Sequence, residues 1–390
     1  MRHFDQLGEK VIAELFHHPP QDFDRDSSPE VLAQALGATL YVPGSRRDLA
    51  EVIRRRVAGG VRSMVIDLED AVHDDELDGA VDNTVRAVEN LAGDLPGVLL
   101  FVRPRVPEQI ALLAGRLGEN CGVLTGFVAP KFSPANAGRY LSAVRSVIDT
   151  AGPRMFVMPV LETPDLLYRE SRDSALRTLR QILAADRDLV LCLRLGATDL
   201  CGLYGIRRDR DLTIYHVQIV ADLIGDVVNH LGRLDGTGFP ISGPVWEYFE
   251  GHGRILRPRL RSSPFEQLRA DKVRDRLLQA DLDGLISEIV LDRSNGLTGK
   301  TVIHPSHVPV VHAMSAVPHE EFVDATDVLA SGDLPSGSAG GVRASEYRNK
   351  MNEFRPHRLW AEQIMVRAGV FGVLAGGVSM AHVLAATAAA

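Results

Sequence analysis

Short apolar runs rich in β-branched and aromatic residues recur along the chain, each closing on glycine, proline or charge. They are Thr39–Pro43, Ser63–Leu68, Val98–Val102, Gly126–Ala129, Met155–Leu161, Leu189–Leu195, Phe239–Ser242 and Thr301–Ile303. Runs of this length and composition predict strands, and their nearly unbroken apolarity predicts strands covered on both faces. Between most of them the hydrophobic period lengthens. Leu49, Val52, Ile53, Arg56 and Val57 within Asp48–Ala58, and Val81, Val85, Val88 and Leu91 around Asp82–Leu91, fall near one face of a helix. Strand–helix alternation predicts a parallel α/β sheet, and eight units over roughly 250–270 residues match a (β/α)₈ TIM barrel in count and length. A doubly wound open sheet is the alternative. No G-x-G-x-x-G follows the first strand, so its dinucleotide-binding version loses its main support.

The pattern changes at both ends. Residues 1–38 precede the first strand and end in a helix-like stretch, Pro29–Leu36, placed to close the bottom of a barrel. The barrel is expected over 39–330. Residues 331–343, "SGDLPSGSAGGVR", read as a flexible linker, and 344–390 as a separate C-terminal helical segment. From Ala368 to Ala390 no side chain is charged unless His382 is protonated, a length that could span a bilayer. Its Gly-Gly break, alanine-rich end and lack of a basic anchor predict instead a docked helix with a frayed tail.

Composition narrows the function classes. With 390 residues, 45% hydrophobic and 24% charged, the chain can bury a large core. A formal charge of −8 gives no electrostatic reason to expect nucleic acid or an anionic membrane as partner, which leaves small molecules. Three cysteines, Cys121, Cys192 and Cys201, have no metal-ligand spacing and fit a reducing compartment. Arg2, Asp5, Glu9 and Lys10 break up the first turns, so no signal peptide is expected and the cytoplasm is the predicted location.

Barrel chemistry gathers on the loops that follow the C-terminal ends of the strands. After the first run comes Arg46, after the second Glu69 and Asp70, after the third Arg103 and Arg105, after the fourth Lys131, after the fifth Glu162, after the sixth Asp199 and after the eighth His304. Glu162 and Asp199, from adjacent strand ends, could fill two positions of an oxygen-rich cation site. Mg²⁺ suits such a site because it takes one or two carboxylates and completes its octahedron with water and substrate oxygens; Mn²⁺ is the alternative. A 2-oxo acid offers a carboxylate and a keto oxygen to one ion, which would polarise the carbonyl and stabilise an enolate formed by C–C cleavage. An arginine after the third strand would complement a substrate carboxylate.

Plainer readings exist for each. Glu162 before Thr-Pro suits a helix N-terminal acid, and Asp199 suits the cap of a helix beginning near Leu200. The Asp67/Glu69/Asp70 cluster could be a solvated turn. Asp67, however, lies within an apolar strand and is costly to bury alone, and Arg46 is the expected partner.

In order and spacing these motifs resemble the HpcH/HpaI aldolase and citrate lyase beta-subunit family of Mg²⁺-dependent (β/α)₈ C–C bond lyases. "YVPGSRRD" resembles its first-strand turn, "VIDLEDAV" its Leu-Glu-Asp-Ala signature, "APK" its fourth strand and "GLTGKTVIHPSHV" its eighth. The resemblance spans residues 39 to about 312. It implies that Glu162 and Asp199 ligate Mg²⁺, that Arg103 is the third-strand arginine, and that Glu69 and Asp70 line the site. The family's Arg-Val-Asn is replaced here by "RPR", so Arg105 could share the role of Arg103. Arg46, Lys131 and His304 are the remaining candidates for substrate contact.

In relatives acting on CoA thioesters a C-terminal lid carries an acid over a neighbouring subunit's site. The similar stretch is "YRNKMNEF", which aligns Glu353 with that acid although Asn349 replaces a glycine. This implies a homo-oligomer, a trimer or hexamer. The region "VWEYFEGHGRILRPRLRSSPFEQLR" resembles a divergent branch of TIM-barrel C–C bond lyases found in bacterial biosynthetic clusters linked to stress or tellurium resistance. The arginines of its basic stretch, 254–261, could bind a phosphate or CoA diphosphate, or face solvent.

The expected function is therefore a Mg²⁺-dependent C–C bond lyase or aldolase acting on a 2-oxo acid or acyl-CoA substrate. A malate-synthase-like condensing enzyme with thioester hydrolysis is a second reading, and a barrel retained as a non-catalytic scaffold a third.

Overall fold

The structure is a computed structural model describing residues 1–94, 97–249, 282–332 and 341–389. The basic stretch 254–261 and most of the predicted linker, 333–340, lie outside the described residues.

Eight parallel strands close into a barrel in chain order. They are β1 (Ala38–Pro43), β2 (Ser63–Asp67), β3 (Leu99–Arg103), β4 (Gly126–Ala129), β5 (Phe156–Leu161), β6 (Leu193–Leu195), β7 (Ile241–Gly243) and β8 (Thr298–Val302). β1 pairs with β8 and completes the ring, as the strand–helix count predicts. The helices between them turn their apolar faces inward. Leu49, Val52, Ile53 and Val57 are buried on Leu49–Ala58, and Val81, Val85, Val88 and Leu91 on Leu77–Ala92.

Two strands begin three or more residues from where their apolar runs suggest. β6 starts at Leu193 rather than Leu189, because Arg187–Leu189 winds into a 3₁₀ turn and Val190 makes only an isolated bridge to Val157. β8 starts at Thr298 rather than Thr301, and its polar opening is tolerated because Lys300 is neutralised by buried carboxylates, Glu288 and Asp292.

Register sets up the site. Pro43 pairs with Asp67 and Asp67 with Arg103 at the C-terminal end of the sheet. Leu161 pairs with Leu195, so the next residues, Glu162 and Gly196, emerge side by side. Within the barrel Ser63 Oγ donates to Thr39 Oγ1 at 3.2 Å, and the buried Arg194 donates to the hydroxyls of Thr39 at 3.4 Å and Thr301 at 2.7 Å.

By contact the chain divides into two compact units. The barrel unit draws its described residues from 24–249 and 282–311, so the helix Pro29–Ala35 belongs with the barrel. The other unit draws on 1–23 and 312–389. Its core is Val317, Ala325, Val328, Ala361, Ile364, Ala368 and Val373, contributed largely by the helices His319–Gly332 and Phe354–Phe371. Gly372, at φ 77°, ends the second helix, Val373–Leu374 pairs antiparallel with Phe16–His18, and the helix Met380–Ala389 buries Ala381, Val383 and Leu384. The apolar C-terminus is thus strand, turn and short docked helix. Among the described residues no helix is long and apolar enough to cross a membrane.

Candidate active site

Five strand ends deliver six of the predicted residues to one cluster. Arg103, the last residue of β3, donates from Nε and Nη2 to the two oxygens of Asp67, both at 2.6 Å. This is a bidentate fork between neighbours on the ladder, and it corrects the expected Asp67–Arg46 pairing. Arg46 instead grips Asp48 two residues on, at 3.1 Å, in an exposed position. The Arg103 Nη1 atom reaches Glu69 Oε2 at 3.0 Å and Asp70 Oδ2 at 3.2 Å, so one guanidinium binds all three acids.

Lys131 follows β4 and brings a second cation. Its ammonium is hydrogen-bonded to Glu69 Oε1 and lies 3.6 Å from Asp70 Oδ1. Its backbone takes a left-handed conformation, φ 48°, and its amide donates to Glu162 Oε1 at 2.8 Å. The helix Pro164–Leu167 is entered at Thr163, and Glu162 points its carboxylate to the Lys131 amide. Asp199 lies in the first turn of the helix Ala197–Gly202, whose flanking residue is Gly196, so it is not the cap.

Gly196 is the residue that lets the two metal-ligand candidates stand together. A methyl group there would meet Glu162 Oε2 at 1.8 Å and Glu162 Cβ at 2.5 Å. Gly196→Ala is accordingly expected to displace the Glu162 carboxylate and cost about 1–3 kcal/mol through overpacking. Urea denaturation checks the cost, and an unchanged midpoint would refute this account of the contact.

The electrostatics separate the carboxylates. Burial pushes Glu162 up to about 8, with the like charge of Asp199 adding to it against the Lys131 amide. Burial raises Asp199 as well, with Asp70 next. Glu69 is raised chiefly by burial, although Arg103 opposes it. Asp70 moves the other way, because the hydrogen bond with Glu69 and the charges of Arg103 and Lys131 outweigh its burial. Arg103 is held still more firmly protonated, since Asp67 outweighs the penalty of burial.

Residues 30–373 match the model of a family described as the C–C bond lyases of the TIM-barrel fold. The chain belongs to that family. The lyase also resembles solved structures. The protein CitE from Mycobacterium tuberculosis, in complex with magnesium, acetoacetate and coenzyme A, shares 21% identity at a TM-score of 0.52, over 86% of this chain and 99% of that one. A citrate lyase from Burkholderia xenovorans shares 14% identity at 0.58, over 87% and 93%. Among curated proteins none matches.

The other predicted residues of the lyase have partners on the loop of the cluster or elsewhere in the fold. Arg105 donates to the carbonyls of Leu68, Glu69 and Val72 and pairs with Asp74, tying down the loop after β2. His304 is bonded to Ser306 at 2.7 Å and stacks on Phe249, with centroids 4.3 Å apart. Glu353 belongs to the other unit, at the end of the short strand Met351–Glu353, and its amide donates to His357.

Three residues were missed. Gly196 abuts Glu162, the Tyr41 ring lies under Arg103, and Arg194 lies over that same ring. The one legible signal was an arginine inside the apolar run "LCLRL", a position that has to find partners within a barrel.

Proposed function

We propose that the lyase binds a divalent cation, Mg²⁺ or alternatively Mn²⁺, at Glu162 and Asp199, and cleaves or forms a C–C bond next to the carbonyl of a 2-oxo acid or acyl thioester. The observation that carries this reading is the Glu162–Asp199 pair itself. Two carboxylates of adjacent strand ends are driven up together by burial and like charge, while one oxygen of Glu162 is held by a backbone amide. Such a hard, all-oxygen donor set fits Mg²⁺, which retains waters and substrate oxygens. Among the described residues no group of three or more His, Cys, Asp or Glu forms a fuller cage. When bound, the cation supplies Lewis acidity to a substrate carbonyl. The magnesium in the M. tuberculosis complex supports the choice of ion.

The chain's own residues have separable tasks in this reading. Asp67 fixes the Arg103 guanidinium through two of its nitrogens, so Nη1 is the nitrogen left to meet a substrate oxygen in exchange for Glu69 or Asp70. Lys131, half exposed, is the cation a substrate carboxylate reaches from solvent. Glu69, whose carboxyl burial raises above the ordinary glutamate range, can hold or release a proton beside both.

Calorimetry of oxaloacetate, pyruvate and glyoxylate with and without Mg²⁺ tests the assignment: binding of at least one should require the ion. Binding that ignores Mg²⁺ and Mn²⁺ would remove the metal, and no binding would remove the 2-oxo acid. Because the proton on Glu162 competes with the cation, Mg²⁺ affinity is expected to rise from about pH 6 and level off above about pH 8. A flat profile over that interval would show that Glu162 is not a ligand.

A further inference from the structure

Two guanidiniums lie over the ring of Tyr41 toward the catalytic end of the barrel. Arg103 Cζ lies 5.2 Å from the ring centroid and Arg194 Cζ 5.6 Å. The two arginines are neutralised very differently. Arg103 is matched by the bidentate Asp67 carboxylate. Arg194 is 1% exposed and hydrogen-bonds to the hydroxyls of Thr39 and Thr301 and to the Met158 thioether, and its Nε has no acceptor.

A buried guanidinium satisfied by neutral groups is expensive, and a fold that keeps one beneath its site gains by it where negative charge develops during reaction. The group over which Arg194 lies, and which can become an anion, is the Tyr41 phenol. The charges of both arginines favour the phenolate, while those of Asp67 and Glu162 oppose it. Burial raises the phenol, which is therefore protonated at neutral pH and available as a donor. The residue as a whole is only partly buried.

We propose that Tyr41 is a catalytic acid, whose hydroxyl protonates the carbanionic carbon left by C–C cleavage while Arg194 and Arg103 carry the phenolate. This rests on the 2-oxo acid reading above. In the cleavage direction the electron pair of the breaking C–C bond passes to the carbonyl-bearing fragment. The Tyr41 O–H bond then breaks as a C–H bond forms on that fragment. The substrate hydroxyl that becomes the carbonyl of the second fragment releases one proton to solvent, and the phenolate recovers one from solvent, so protons balance and no oxidant or co-reactant enters.

The test is exchange of the methyl protons of pyruvate in D₂O with Mg²⁺, which runs the step in reverse with the phenolate as base and is therefore followed by proton NMR across rising pH, on wild type and Tyr41→Phe. The phenylalanine keeps the ring beneath the two guanidiniums and removes only the hydroxyl. Exchange by wild type, slowed about a hundredfold in Tyr41→Phe with pyruvate affinity within about twofold by calorimetry, is the expected result. Exchange at the wild-type rate in Tyr41→Phe would overturn the role of the phenol and leave the 2-oxo acid reading standing. Loss of pyruvate binding together with exchange would overturn it too, by making Tyr41 a structural residue. No exchange by wild type would overturn both.

Discussion

Glu162→Gln is expected to abolish the response to Mg²⁺ and, in the same molecule, to make the metal-free protein more stable. The two effects have one cause. In the metal-free fold the carboxyl is held up to about 8 by burial and by Asp199, against an ordinary glutamate value of 4.5. Between those two values the native state keeps a proton that the unfolded state loses. Stability therefore falls as pH rises through that window and levels off above about 8. An amide has no charge to desolvate, so the variant should lose this slope and stand above wild type near pH 8. It also cannot neutralise a cation, so Mg²⁺, which should raise the wild-type melting temperature most at that pH, should leave the variant unmoved. Turnover should fall by at least about a thousandfold, the ~4 kcal/mol of transition-state stabilisation a Lewis acid ordinarily supplies. Asp199→Asn should give the same pattern, with the double variant little worse than either, since the two act as one site. Thermal melts at two pH values with and without Mg²⁺, beside a turnover assay, check all of this. A Glu162→Gln protein that still gains stability from Mg²⁺ would place the ion elsewhere.

What was legible in the chain was what depends on local pattern. Eight apolar runs and the rule that chemistry follows strand ends were enough to bring Glu69, Asp70, Arg103, Lys131, Glu162 and Asp199 to one rim, because each ends its own strand or follows it by at most four residues. Partnerships across strands were not legible. Arg46 is a natural guess for Asp67 on a linear reading, but the ladder puts Asp67 opposite Arg103, and Arg46 is taken by its neighbour Asp48. Nor does the sequence say that Gly196 must lack a side chain, because the atom it would strike belongs to Glu162, thirty-odd positions earlier. The same blindness hid the start of β8. A lysine at the head of a strand reads as loop until its acids are known, and those acids lie one turn apart on the preceding helix, Leu282–Ser294.

Those acids make Lys300→Met the substitution expected to cost most in stability. Lys300 is fully buried and donates to Glu288 Oε1 at 2.8 Å and Asp292 Oδ2 at 2.6 Å. Each acid is also held from the other side. Arg208 pairs with Glu288, which accepts the Ile214 amide at 2.7 Å, while the Tyr215 hydroxyl donates to Asp292 at 2.9 Å. Removing the ammonium would leave two buried carboxylates sharing the charge of Arg208, and breaking such a pair from one side costs about 3–5 kcal/mol. Asp292 would bear most of it, since Tyr215 brings no charge. It is already pushed up to about 6 by burial with Lys300 in place, and without Lys300 it should take up a proton near neutrality. The penalty should therefore shrink as the solution is acidified below neutrality, and Lys300→Met combined with Asp292→Asn should recover part of it at pH 7. Urea denaturation of the three proteins at two pH values reads both effects. A loss under about 1 kcal/mol, or one indifferent to pH, would mean that the strand is held by its apolar packing and that the ion cluster contributes little.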